Sequence, residues 1–189
     1  MLVTNILGVG RWNRTHQALR EAAVELFAER GYEATATARI AERAGVSEMT
    51  LFRHFPTKEA LLLTDPFDPL MADAVRDRPA NETAMRALVE GIREAWGRVD
   101  AESTRQLHGL LRIVARTPSL RGAVERNSTD TAAALTAALL DRGVSGAQAG
   151  VAVTAVIAGL STALLDWAQA EPAPLDAILS SALDVLRGE

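Results

Sequence analysis

A chain of 189 residues, 48% hydrophobic and 23% charged, has length for one or two domains and enough apolar material for a core, which excludes a disordered polymer. The net charge of −4 excludes a globally basic nucleic-acid coat. The absence of Cys excludes a disulfide framework, a thiolate metal site and a Cys nucleophile. The chain is rich in Ala, has 4% aromatics and only 7 Pro, and nowhere alternates β-branched residues with a period of two, so an all-α protein is expected. Its three His, at 16, 54 and 108, share no helical turn, so no metal is expected. Nothing in the chain calls for a cofactor.

Residues 1–12 are weakly apolar, without a basic leader, and read as a flexible N-terminal arm. Leu19, Ala22, Ala23, Leu26 and Phe27 then mark one face of a helix over 14–30, stopped by Gly31. A short helix over about 38–44 places Ile40, Ala41 and Ala44 inward and ends at Gly45. Ser47 caps the next helix, which carries Leu51, Phe52 and Phe55 and stops at Pro56. Thr57 caps a fourth helix from Lys58. Two short helices joined through Ala44-Gly45-Val46 form a helix-turn-helix pattern over residues 13–64.

Asp65-Pro66 and Asp68-Pro69 break or bend the fourth helix, which resumes over about 70–77. A helix follows over 82–99. Ser103 and Gln106 are spaced as a capping box for a helix over 104–116. Thr117-Pro118 opens one that runs to 142, Ser145 and Gln148 form a second capping box for 146–170, and the last helix spans 175–187 after a turn at 171–174. The count is about nine helices. The apolar run 147–165 is dominated by small and polar residues, so it reads as a buried or interface helix rather than a membrane span, and a cytoplasmic location is expected.

Three segments then carry a resemblance: Leu26 to Thr35, Ile40 to Ser47 and Thr50 to Leu62. Together they resemble, in one register, the DNA-binding domain of the tetracycline-repressor (TetR) family of bacterial regulators. The resemblance implies an N-terminal three-helix DNA-binding domain (13–64) followed by a helical ligand-binding and dimerisation bundle (65–189). Three departures stand out. Thr35-Ala36-Thr37 replaces the family's Thr-Thr-Val, leaving Thr37 or Thr35 to cap the second helix. Phe52 replaces a common Tyr, and Met49 a common Gly.

A recognition helix enters the major groove by its N-terminal part, here Ser47, Glu48, Met49, Thr50 and Arg53, and Thr35, Thr37 and Phe52 join the expected DNA-binding set. Arg53 suits a guanine edge or a phosphate, Thr50 a base edge, Met49 thymine methyls, and Glu48 a cytosine amino group or simply the helix dipole. The resemblance makes His54 and Lys58 phosphate contacts, while Arg11 and Arg14 either reach the DNA or stand in solvent. In the bundle, Met85, Leu88, Trp96, Leu107, His108, Leu111 and Trp167 are candidate pocket walls or plain core, and Arg93 and Arg112 are candidate partners for an anionic end. Gly150, Thr154, Ala158 and Thr162 form a stripe of small residues on one helix. With Leu179 and Leu183 on the last helix they resemble the family's dimer-forming pair, or else pack within the protomer.

The expected function is a ligand-responsive DNA-binding regulator, a repressor released from a palindromic operator by a small, mainly hydrophobic effector. The partners expected are operator DNA, a second copy of the chain and that effector. No catalytic constellation stands out. The alternatives are a helical-bundle enzyme or an interaction protein that has lost DNA binding.

Overall fold

The structure, a computed structural model, describes residues 3–63, 68–170 and 174–188. Among them are ten α-helices and no strand, in agreement with the all-α expectation. They are α1 (Val3–Arg30), α2 (Thr37–Arg43), α3 (Glu48–His54), α4 (Ala60–Leu63), α5 (Asp68–Arg76), α6 (Ala84–Trp96), α7 (Ala101–Ala115), α8 (Arg121–Asp141), α9 (Gly146–Gln169) and α10 (Leu175–Arg187). The predicted breaks at Asp65-Pro66 and 171–173 lie outside the described residues.

Several boundaries differ from the sequence reading, and α6 spans Ala84–Trp96 rather than 82–99 because Thr83 caps it. α1 begins at Val3, so the stretch expected to be a flexible arm is helical: Gly8 and Gly10 lower helix propensity, but no Pro interrupts the backbone ladder. α4 starts at Ala60, whose N–H donates to Thr57 Oγ1 at 3.2 Å. α7 starts at Ala101, because Asp100 is its N-cap and accepts the Ser103 N–H at 2.7 Å. Ser103 is therefore a residue being capped, and Asp100 is the cap. Pro118 opens a single 3₁₀ turn (Pro118–Leu120), from which α8 continues.

The described residues pack around two cores. α5, α6, α8, α9 and α10 bury one, including Val75, Leu88, Ile92, Leu139, Val156 and Leu183. α5 and α6 approach most closely at Gly91, where a Cβ would stand 2.8 Å from the backbone of Val75. The second core holds Leu19, Leu26, Phe27, Ile40, Leu51 and Phe55 from α1 to α3 and the residue after α3. Leu110, Val114, Leu120 and Ala123 join it from beyond residue 65, so the N-terminal domain is seated on α7 and the start of α8. α1 crosses α7 where Gly109 faces Val24; a Cβ at Gly109 would meet Val24 Cγ1 at 3.5 Å. Gln17 Nε2 donates to Gln106 Oε1 at 3.0 Å across the same joint.

α9 is long and apolar enough to cross a membrane, with a mean hydropathy of 1.7. One edge of it, Ala149, Ala152, Val153, Val156 and Leu160, lies in the core, while Val151, Thr154, Ala158 and Thr162 are exposed. Arg93 pairs with Asp184 at 2.8 Å and Arg187 with Glu90 at 2.6 Å, tying α6 to α10.

Candidate nucleic-acid interface

Gly45, at φ +69°, takes the left-handed turn that swings the chain from α2 into α3. The Val46 N–H closes the corner on the Ala41 carbonyl at 2.9 Å. Ser47 then caps α3: its Oγ accepts the Thr50 N–H at 3.2 Å and lies 2.9 Å from Thr50 Oγ1. Leu51 and the following Phe55 anchor the helix in the core. The opposite face projects Ser47, Glu48, Met49, Phe52 and Arg53 into solvent, with Thr50 half-buried beside them. Met49 is 83% exposed, a large apolar side chain with nothing to cover it in the protomer.

The remaining predicted contacts are placed differently. Thr35 is buried, and its hydroxyl donates to the Gly31 carbonyl at 2.8 Å, holding the end of α1. Thr37 Oγ1 donates to Glu48 Oε1 at 2.6 Å. Neither caps α2, whose N-cap is Ala36 without a side-chain bond. The Thr37 bond instead pins Glu48 at the entry of α3. His54 is buried and stacks on Trp12 at 3.6 Å between ring centroids, so it does not present itself to a phosphate. Lys58 also turns inward. Its ammonium donates to the Tyr32 carbonyl and lies 4.2 Å from the centre of the Tyr32 ring. Burial pulls the Lys58 pKa down, against the opposing pull of Glu33 and Glu59. Arg14 is exposed, and Arg11 lies outside the residues whose side chains are described.

The sequence reading missed Trp12. Its ring is 43% exposed, covers His54 and lies 6.0 Å from the Arg53 guanidinium, so it braces the recognition helix from α1. The signal was available as Trp12 one helical turn ahead of His16, which in turn packs on Phe55 at 4.1 Å. Burial, helped by Arg20 near His16 and Arg53 near His54, lowers the pKa of both His below the ordinary 6.5.

The face that emerges is a capped helix of donors, acceptors and exposed apolar groups, braced from behind by rings. It suits insertion into a major groove. The bacterial regulatory proteins of the tetR family match over residues 19–64, which contain both helices of this unit. The regulator TcmR of Streptomyces glaucescens is 36% identical over 124 residues, covering 62% of this chain and 55% of its own length. Over residues 19–64 this chain is similar to the tetR family of bacterial regulatory proteins.

Structures of TetR-type regulators share the fold along nearly the whole chain. NalD of Pseudomonas aeruginosa, the secondary repressor of a multidrug efflux pump, has a TM-score of 0.61 at 23% identity, covering 94% of this chain and 96% of its own. The TetR-family repressor FadR of Thermus thermophilus, solved with lauroyl-CoA, has a TM-score of 0.54 at 26% identity, covering 91% and 93%. The chain spans about half the length of TcmR.

The seven predicted pocket residues do not meet in one cavity. Leu107 and Leu111 line a cavity of about 470 Å³ between α1, α4 and α7, with Gln17, Arg20, Val24 and Leu62. Met85 lines a separate cleft by the α8–α9 turn. His108 packs edge-on against buried Trp167 at 4.7 Å. Leu88 is fully buried core, and Trp96 packs on the same core. Arg93 is held by Asp184, whereas Arg112 lines a further cavity.

On α9, Thr154, Ala158 and Thr162 are exposed and Gly150 half-exposed, with Val151 74% exposed beside them and Val185 of α10 72% exposed. Leu179 and Leu183 are buried within the protomer, because α10 turns that edge toward α6 and α9; they are core residues here.

Proposed function

We propose that this chain is a ligand-responsive transcriptional repressor that binds a pseudo-palindromic operator as a homodimer in the cytoplasm. The observation that carries the reading is the exposed α3 face, Ser47 to Arg53, braced by Trp12 and seated on α7 through a shared core. The small-residue stripe of α9, with exposed Val151 and Val185, supports a two-fold contact between copies, which sets two recognition helices against successive major grooves.

The cavity between α1, α4 and α7 supports a small, mainly hydrophobic effector. Its floor is Leu62, Leu107, Leu110 and Leu111, and Gln17 and Gln106 offer polar orientation. Because α1 and α4 belong to the DNA-binding domain, a ligand there bears directly on its seat. A coupling of about 1–3 kcal/mol changes operator affinity roughly 5–150-fold. The lauroyl-CoA complex of the Thermus regulator supports ligand control on this fold. That the curated relatives are regulators supports DNA binding over catalysis.

The test is fluorescence anisotropy with DNA from the regions flanking the gene, followed by a compound screen for release. Specific, salt-sensitive binding reversed by an apolar compound is the expected result. Absence of specific binding to any fragment sinks the reading.

A further inference from the structure

A second cavity, of about 630 Å³, opens between the C-terminal end of α1, the turn after it, the C-terminal half of α7 and the 3₁₀ turn. Its wall is apolar, formed by Val24, Phe27, Tyr32 and Ile113. Its mouth carries Arg30 from α1, Arg112 from α7 and Arg116, the residue that caps the C-terminal end of α7. All three are exposed, and none is in an ion pair with a carboxylate among the described residues. The one carboxylate lining the cavity, Glu33, accepts a hydrogen bond from Ser119 and is held at the edge.

Elsewhere in the bundle Arg76, Arg78, Arg86, Arg93, Arg98, Arg105 and Arg187 each face an acid and Arg142 donates to backbone carbonyls, whereas Arg121 and Arg126 are in no ion pair among the described residues but do not line this cavity. Arg112 and Arg116 stand four residues apart on one helix face, where like charges repel. Arg30 brings a third positive charge to the same mouth from another helix. An anion there relieves the repulsion, and guanidinium groups grip carboxylates with paired, charge-assisted hydrogen bonds. Behind the mouth, the apolar wall removes a hydrocarbon or aromatic tail from water.

We infer that this cavity binds an amphipathic monoanion, a carboxylate with an apolar tail, the head on Arg112, Arg116 and Arg30 and the tail against Val24, Phe27 and Ile113. The site is separate from the chamber between α1, α4 and α7, and binding to it does not depend on the repressor reading. It does touch both sides of the α1–α7 joint, so its effect on DNA rests on that reading.

Titration calorimetry on the full chain, without DNA, tests the site with decanoate and with decyltrimethylammonium as the matched cation. The expected result is one decanoate per protomer, binding weakened by salt, and no binding of the cation. The Arg112→Ala, Arg116→Ala double variant should lose about tenfold or more in decanoate affinity, while Arg86→Ala keeps wild-type affinity. Ile113→Glu, which sets a carboxylate in the wall, should abolish binding; if it fails to fold, the exposed arginine pair decides. Equal binding of the cation, unchanged affinity in the double variant, or no decanoate binding at millimolar concentration overturns the proposal. Operator release is read separately: decanoate that binds and displaces DNA supports both readings, and decanoate that binds without displacing it supports the site and counts against ligand control through it.

Discussion

Lys58 is the chain's single lysine, and its ammonium is committed to the Tyr32 carbonyl and ring. Removing it leaves a carbonyl unpaired and a ring face bare. Lys58→Ala is therefore expected to lower stability by about 1–2 kcal/mol, read by urea melts, with the salt dependence of DNA binding unchanged. A salt slope reduced by about one charge would instead return Lys58 to the phosphates. Arg53 is the contrasting case, exposed on the α3 face within reach of the Trp12 ring. Arg53→Ala should cost about 1–3 kcal/mol in operator affinity and relax the preference at one base pair, measured by competition with single-substituted operators. The identities on this face were legible in the sequence because the periodicity that buries Leu51 necessarily exposes Glu48, Met49 and Phe52. The directions of Thr35, His54 and Lys58 were not. His54 and Lys58 are decided by partners distant in sequence, the Trp12 ring and the Tyr32 carbonyl, and Thr35 by the way the turn after α1 folds its hydroxyl back onto the Gly31 carbonyl.

At the scale of elements, stop signals were read well and start signals less so. Gly31, Gly45 and Gly143 all adopt positive φ just past the helices that they were expected to end. The start of α7 was misplaced because Asp100 and Ser103 compete as caps. A carboxylate accepting a backbone N–H makes the stronger, charge-assisted bond, and the Ser103 N–H holds the Asp100 pKa below its ordinary value. Two expectations belong to this scale. His16 and His54 titrate below 6.5 when folded, so as pH falls below about 6.5 the unfolded chain takes up protons first. The stability that their neutral rings supply is whole above that pH and declines below it. Thermal melts should therefore fall between about pH 7.5 and about pH 5.5, and the His16→Gln, His54→Gln double variant should flatten that dependence; an unchanged slope would remove the two rings from the account. Gly91→Ala puts a methyl 2.8 Å from the Val75 backbone, so α5 and α6 must separate, and a loss of about 1–3 kcal/mol is expected in denaturant unfolding.

For the whole molecule, the sequence leads to an expectation of two domains meeting near residue 64, and one core is shared across that point. Leu110, Val114 and Leu120 serve the N-terminal core, because α7 offers two apolar edges and only one faces the bundle. The exposure of Ala158 sharpens a test of assembly. An Arg there leaves the protomer core untouched, so Ala158→Arg should give a folded monomer by light scattering and circular dichroism, with operator affinity lost alongside the dimer. A dimer of unchanged stability would place the interface elsewhere.

The crossing of Val24 over Gly109 gives α1 the mechanics of a lever. From Val24 to Trp12 the helix runs about 18 Å, so a tilt of its axis of about 10° at the crossing displaces the Trp12 end by about 3 Å, as much as the full length of a hydrogen bond to a base. Trp12 carries His54 and the neighbouring Arg53 with it. Such a tilt must also break the Gln17–Gln106 hydrogen bond and shift Leu110 and Val114 against α1, so the joint is a pivot held by a core as well as by the small residue at its centre.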